Sequence, residues 1–229
     1  MKPMRFTALA LLVFTTQCAT SDYESPEFAK RARHHQVVAV LPFEMIFAGE
    51  PPKNLTAQQI SRIEEAESVA FQEAYYSRLL HQASARRRHP ITIGIQPVGT
   101  TNRLLSDAGI GVRESWTMSA KALAKVLRVD AVISTSVQKT RYLSGGESFG
   151  VDLGLTIVDE VTEGRFAPVL PWNLSKTHDL WAASELIDSL DGAVIWQTEM
   201  AQATDWRGSA NQVISSFTEA LAKKFPYRS

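Results

Sequence analysis

The chain is predicted to be an α/β protein: a mixed sheet with N-terminal βαβαβ crossover units, C-terminal antiparallel hairpins, and a final helix packed on the sheet. Three features carry this expectation. Between residues 37 and 137, short β-branched apolar runs alternate with segments of helical periodicity, the pattern of crossover units. Past residue 138 the rhythm changes to strands punctuated by Gly and Asp-Gly turns. Near the C-terminal end lies one amphipathic stretch, Ser209 to Lys224, stopped by Pro226.

Taken in order, the chain opens with Lys2 and Arg5, then a short apolar run from Phe6 to Phe14, and reaches its one cysteine at Cys18. This is the layout of a secretory signal peptide over residues 1–17. The apolar run is shorter than the roughly 20 residues a membrane-spanning helix needs. The leader resembles that of bacterial lipoproteins, whose lipobox ends in a cysteine that is acylated and becomes the mature N-terminus. The resemblance implies lipidation of Cys18. Thr15 and Gln17 stand where that family favours Leu and a small residue, so ordinary cleavage near Ala19 remains the alternative. Ala19, rather than Asp, resembles the pattern that sorts lipoproteins to the outer membrane. Residues 18–35 are polar, with Asp22, Glu24, Glu27 and the Lys30, Arg31, Arg33 cluster, and are read as a lipid-anchored tether.

Residues 36–229 are read as a single α/β periplasmic domain. Val37 to Leu41, stopped by Pro42, is a strand covered on both faces. After a loop marked by Gly49, Pro51 and Pro52 comes a long helix from Thr56 towards Arg88, opened by a Thr56/Gln59 capping box. Its buried face is expected at Ile63, Ala66, Ala70 and Ala74, widened by Val69, Phe71 and Leu79, and Arg86 to His89 close it before Pro90. Ile91 to Ile95 is the second strand. Helices follow at Thr101 to Ala108, with Gly109 as the residue after the cap, and at Ser119 to Leu127, buried through Ala120, Leu123, Ala124 and Leu127. Asp130 to Val137 is the third strand.

In the second half, Gly145-Gly146 turns into an alternating strand, Val151 to Val158, and Val161 to Asp179 reads as a loop insertion. A hairpin spans Leu180 to Met200 around Ser189-Leu190-Asp191-Gly192, because Asp-Gly suits left-handed turn positions. Trp196 and Phe217 sit on periodic faces and are expected in the core; the last helix begins with a Ser209/Gln212 capping box and buries Val213, Phe217, Ala220 and Leu221.

Several of these segments resemble a lipoprotein fold group that includes the curli-secretion-channel lipoproteins, the lipoprotein activators of penicillin-binding proteins and the N-terminal domain of TolB-like proteins. The matching residues are Val38 to Phe43, Thr101 to Leu105 with Gly109-Ile110, Ala124 to Leu127 with Val129 to Ile133, and Asp191 to Trp196. The resemblance implies a periplasmic domain that binds another envelope component. No long amphipathic hairpin suited to a membrane β-barrel is evident in the sequence.

Chemistry-bearing patterns are few. The chain has 24 basic and 24 acidic residues, and removal of residues 1–17 leaves a slight acidic excess, which gives no electrostatic reason to bind nucleic acid. His34, His35, His81, His89 and His178 lack metalloprotease spacing, and no nucleophile elbow or phosphate loop occurs. No cofactor or metal site is expected. Phe166, Trp172 and Trp181, in or beside the insertion, are the candidates for partner binding, either as a lid folded over the core or as a surface left for a partner. The expectation is a non-enzymatic, lipid-anchored protein on the periplasmic face of the outer membrane, with an envelope protein as partner. A secreted hydrolase with a site near His178, and a subunit of an oligomeric export assembly, are the alternatives.

Overall fold

The structure is a computed structural model that describes residues 22–48, 56–83, 91–140, 178–204 and 210–227. Its strands are β1 (Asp22–Glu24), β2 (Val37–Val40), β3 (Glu44–Ala48), β4 (Gly94–Ile95), β5 (Ala131–Thr140), β6 (His178–Asp188) and β7 (Val194–Thr204). The helices are α1 (Phe28–Ala32), α2 (Ala57–Gln82), α3 (Val98–Asp107), α4 (Val112–Thr117), α5 (Ala120–Leu127) and α6 (Ala210–Ala222). Cys18, Arg86 to His89, the hairpin at Gly145 with the strand to Val158, Phe166, Trp172 and Ser209 lie outside the described residues.

The strands form one mixed sheet in the order β1-β7-β6-β5-β2-β4, with β3 also beside β5. Both β2 and β3 run parallel to β5, along successive stretches of the same side of that long strand. The register slips by one residue between them, since Val40 faces Ile133 but Glu44 faces Ser136. Pro42 lies in the gap. It has no N–H to offer the ladder, so the chain bulges there and resumes pairing as β3. The sequence reading placed a loop here, and the continuation of the strand past the proline corrects it.

Helices cover the two faces unequally. On one face α2 and α6 pack together, and their Phe71, Tyr75, Leu79, Phe217 and Leu221 meet Val38, Val40, Ile133, Val137, Leu180, Leu186 and Trp196. Phe43 stacks on Phe71 with ring centroids 5.8 Å apart, and Phe71 meets Phe217 edge-on at 5.8 Å. On the opposite face α3 and α5 bury Leu105, Leu123, Ala124 and Leu127 on Ala39, Leu41, Val132 and Ile187. Because β2 leads through α2 to an outer strand and the chain then returns through α3 to α5, crossovers of one hand put these helices on opposite faces. The expected core positions Trp196, Phe217, Leu123 and Leu127 are all buried.

Local signals read from the sequence take the expected forms. Thr56 and Gln59 form the reciprocal capping box of α2. Gly109 (φ +75°) follows α3, and Ile110 N–H reaches back to Leu105 O at 2.9 Å. Gly192 (φ +80°) turns the β6–β7 hairpin.

The buried side of α2 differs from the apolar pattern. It runs through Ile63, Glu64, Glu67, Ser68, Phe71, Gln72, Tyr75 and Leu79, while Ala66, Ala70 and Ala74 are half-buried flanks. Gln72 explains how a polar residue can sit there: its amide donates to Val40 O at 2.7 Å and exchanges hydrogen bonds with Asn102 on α3.

The expected tether is folded from Asp22 onward. β1 pairs antiparallel with β7, and Phe28 on α1 is buried in the core against Tyr227, with ring centroids 5.5 Å apart. Polar contacts fasten the same segment, which is why its charged composition misled. Arg31 bonds Glu27, Asp188 and Asp191, and Lys224 bonds Asp22 at 2.8 Å.

Candidate interaction face

The face carrying α3 and α5 is covered over β2, the start of β5 and the end of β6. Beyond Ser134 no described helix lies over it. Strand alternation and the pairing register define what it displays. One cross-strand row is Tyr23, Gln197, Glu185 and Ser134; the next is Glu199, Ala183, Ser136 and Glu44; the last is Ala201, Trp181, Gln138 and Ile46. Tyr23 is 47%, Ile46 39% and Trp181 37% exposed, among the large apolar side chains most open to solvent. Met45 beside Ile46, and Leu180 and Ala182 beside Trp181, are buried on the other face.

Electrostatically the platform has one sign. Glu44, Glu185 and Glu199 rise from it, and among its described residues there is no Lys, Arg or His. Half-burial holds the Glu185 carboxyl above the usual carboxylate range. Gln197 donates a long 3.5 Å hydrogen bond to Glu199.

Directly beneath the outer end of this face lies a buried ion pair. Lys139 on β5 donates to Glu67 on α2, and its ammonium also stands over the Phe47 ring, 4.8 Å from the centroid. Burial raises Glu67 to about 7, Lys139 opposing the shift only in part; its Oε1 has no hydrogen-bond partner among the described residues. This pair ties β3, β5 and α2 together where the platform ends.

A second polar cluster joins α1 to the β6–β7 turn. His35 Nδ1 meets the Tyr227 hydroxyl, and its Nε2 lies 3.4 Å from Asp188. Asp188 Oδ1 accepts from Leu190 N–H at 2.8 Å, and Asp130 accepts from the N–H groups of Gln36 and Val37 at 2.7 and 3.0 Å. Burial, with Asp188 and Asp130 nearby, raises the Tyr227 hydroxyl well above its usual range. A carboxylate, imidazole and hydroxyl in a row resemble an acid–base relay, yet the His35 and Asp188 side chains are buried. Their contacts fasten one segment to another, and the cluster is a latch.

Of the residues expected to bind a partner, Trp181 is on the open face near the start of β6, the strand that begins at His178. The expected loop therefore ends before His178. Phe166 and Trp172 lie outside the described residues. Sequence reading missed Tyr23, Ile46 and the three glutamates. The alternation in β6 and β7 was the one available signal for Glu185 and Glu199. Among the described residues no helix is long and apolar enough to cross a membrane, and no group of three or more His, Cys, Asp or Glu is placed to hold a metal.

No protein-family model matches the chain, and no curated protein matches it. Solved structures do. The chain is similar to the PelC dodecamer from Paraburkholderia phytofirmans at 14% identity, over 91% of this chain and 96% of that one, with a TM-score of 0.44. It is similar to lipoprotein GNA1162 from Neisseria meningitidis at 10% identity, over 82% and 96%, with a TM-score of 0.46. The LpoB C-terminal domain from Escherichia coli aligns at 12% identity over 78% and 94%, with a TM-score of 0.34.

Proposed function

We propose that this chain is a non-enzymatic, lipid-anchored protein of the bacterial envelope, held through Cys18 at the periplasmic face of the outer membrane, whose domain binds another envelope protein through the open face of its sheet. The observation that carries the binding role is Trp181: it is exposed near the start of β6, although Leu180 and Ala182 on either side of it are buried. Among the described residues no helix covers this part of the strand, and Trp is enriched where partners bind. The anchor rests on the leader and on the position of Cys18 at its end.

The test is a photo-crosslinking residue at position 181, expressed in the native envelope. A discrete adduct with an envelope protein, absent when the crosslinker stands at buried position 182, is the expected result; irradiation that yields no adduct at 181 removes the binding role. Intact-mass spectrometry of the membrane-extracted protein tests the anchor separately. A chain starting at Cys18 with acyl mass is expected, and an unmodified start at Thr20 would overturn it.

A further inference from the structure

We infer that the occupant of the open face is a cationic, amphipathic polypeptide segment, bound by Glu44, Glu185 and Glu199 through its basic side chains and by Trp181 and Ile46 through its apolar ones. This rests on the binding half of the proposed function and not on the anchor.

The argument is one of charge and layout. Three carboxylates share the platform, and among the described residues none of the three makes an ion pair. Glu185 is half withdrawn from water and its carboxyl is held above the usual range by that burial, so an incoming cation gains more from it than from a fully solvated carboxylate. The carboxylates occupy the first two cross-strand rows, whereas Ala201, Trp181 and Ile46 make up most of the third, with Ala183 at the centre. A ligand matched to that order has basic groups along one side and aliphatic groups along the other. The aliphatic strip favours a polypeptide over a cationic glycan, which carries no such side chains. Trp181 can also take a guanidinium or ammonium over its ring.

Size points the same way. Five strands spaced about 4.8 Å apart and three alternate-residue rows make a patch of roughly 19 by 14 Å. That is about a third of the 800 Å² each partner contributes to a standard protein–protein interface. It suits one helix or strand, not a domain.

The experiment titrates the purified mature chain with a synthetic decapeptide of alternating Lys and Leu, beside a Glu-Leu peptide of the same length and a glucosamine oligomer. The Lys-Leu peptide is expected to bind, and to weaken about tenfold when salt is raised from 50 to 500 mM. The E44Q/E185Q/E199Q variant, with an unchanged melting temperature, is expected to weaken it about tenfold too, and Trp181→Ser roughly fivefold. Equal affinity of the triple variant and the unaltered chain would overturn the inference, as would binding of the Glu-Leu peptide. Binding of the glucosamine oligomer without the Lys-Leu peptide would replace the polypeptide with a glycan. A crosslink from position 181 to a partner that proves acidic would sink this inference and leave the proposed function standing.

Discussion

Along β6, consecutive residues have opposite surroundings. Leu180, Ala182, Ser184 and Leu186 are buried on the face covered by α2 and α6, while Trp181, Ala183 and Glu185 look out from the other. On the covered face the buried strand hydroxyls are paired: those of Thr135 and Ser184 meet at 2.9 Å, and Thr198 donates to Asp22. On the open face Glu44, Glu185 and Glu199 make no ion pair among the described residues, and Glu199 accepts only the long hydrogen bond from Gln197. On the proposed function the contrast separates two jobs within one sheet, since burial on one side supplies stability and lack of burial on the other leaves residues free for recognition.

The contrast can be tested by its largest consequence first. Phe217→Ala removes a fully buried ring from between the helices and the sheet, and should cost about 3–5 kcal/mol in urea unfolding. Glu67→Ala leaves Lys139 buried without its carboxylate, and a loss of about 3–5 kcal/mol is expected. A cost near zero would mean that the pair is wetter than it looks. Glu67 also gives a pH signature. Its carboxyl is raised from 4.5 to about 7 in the folded chain, so it binds a proton more tightly folded than unfolded. That stabilisation is complete below pH 4.5 and is lost as pH rises through 7. Glu67→Gln should therefore flatten the stability profile between those values, as followed by thermal melts across the range.

Smaller effects sharpen the comparison. Tyr227→Phe strips the hydroxyl from His35 in the latch, for an expected loss of about 1–2 kcal/mol and earlier proteolysis near α1. Trp181→Ala should change stability by no more than about 0.5 kcal/mol. If it cost as much as Phe217→Ala, Trp181 would be core, and the division between the faces would fail.

What could be read in the sequence was what a local period or a local turn determines. The capping box at Thr56, the glycines after α3 and in the hairpin, and the buried Leu123, Leu127, Trp196 and Phe217 all follow from spacing within a few residues. What escaped depends on distant partners. Nothing local marks Glu67 as buried until folding brings it to Lys139, and Arg31 reads as part of a polar tether until Asp188 and Asp191 arrive from the other end of the chain. β3 was hidden by Pro42, and α4 by its six-residue length. Phe28 was a usable signal, a large apolar side chain in a segment otherwise built to be wet. The open face was half legible: Trp181 stood out as an aromatic, but its row mates are set by register between strands.

Because β1 starts at Asp22, position 18 is only four residues from the rim of the sheet. Fully stretched, that leash reaches about 14 Å, less than the radius of gyration of about 16 Å expected for a domain of some two hundred residues. A body on so short a leash cannot swing clear of whatever surface holds its first residue. An acyl group at Cys18 would do more than locate the protein: it would fix which edge faces the bilayer, and confine any partner of the platform to the thin layer of periplasm beside it.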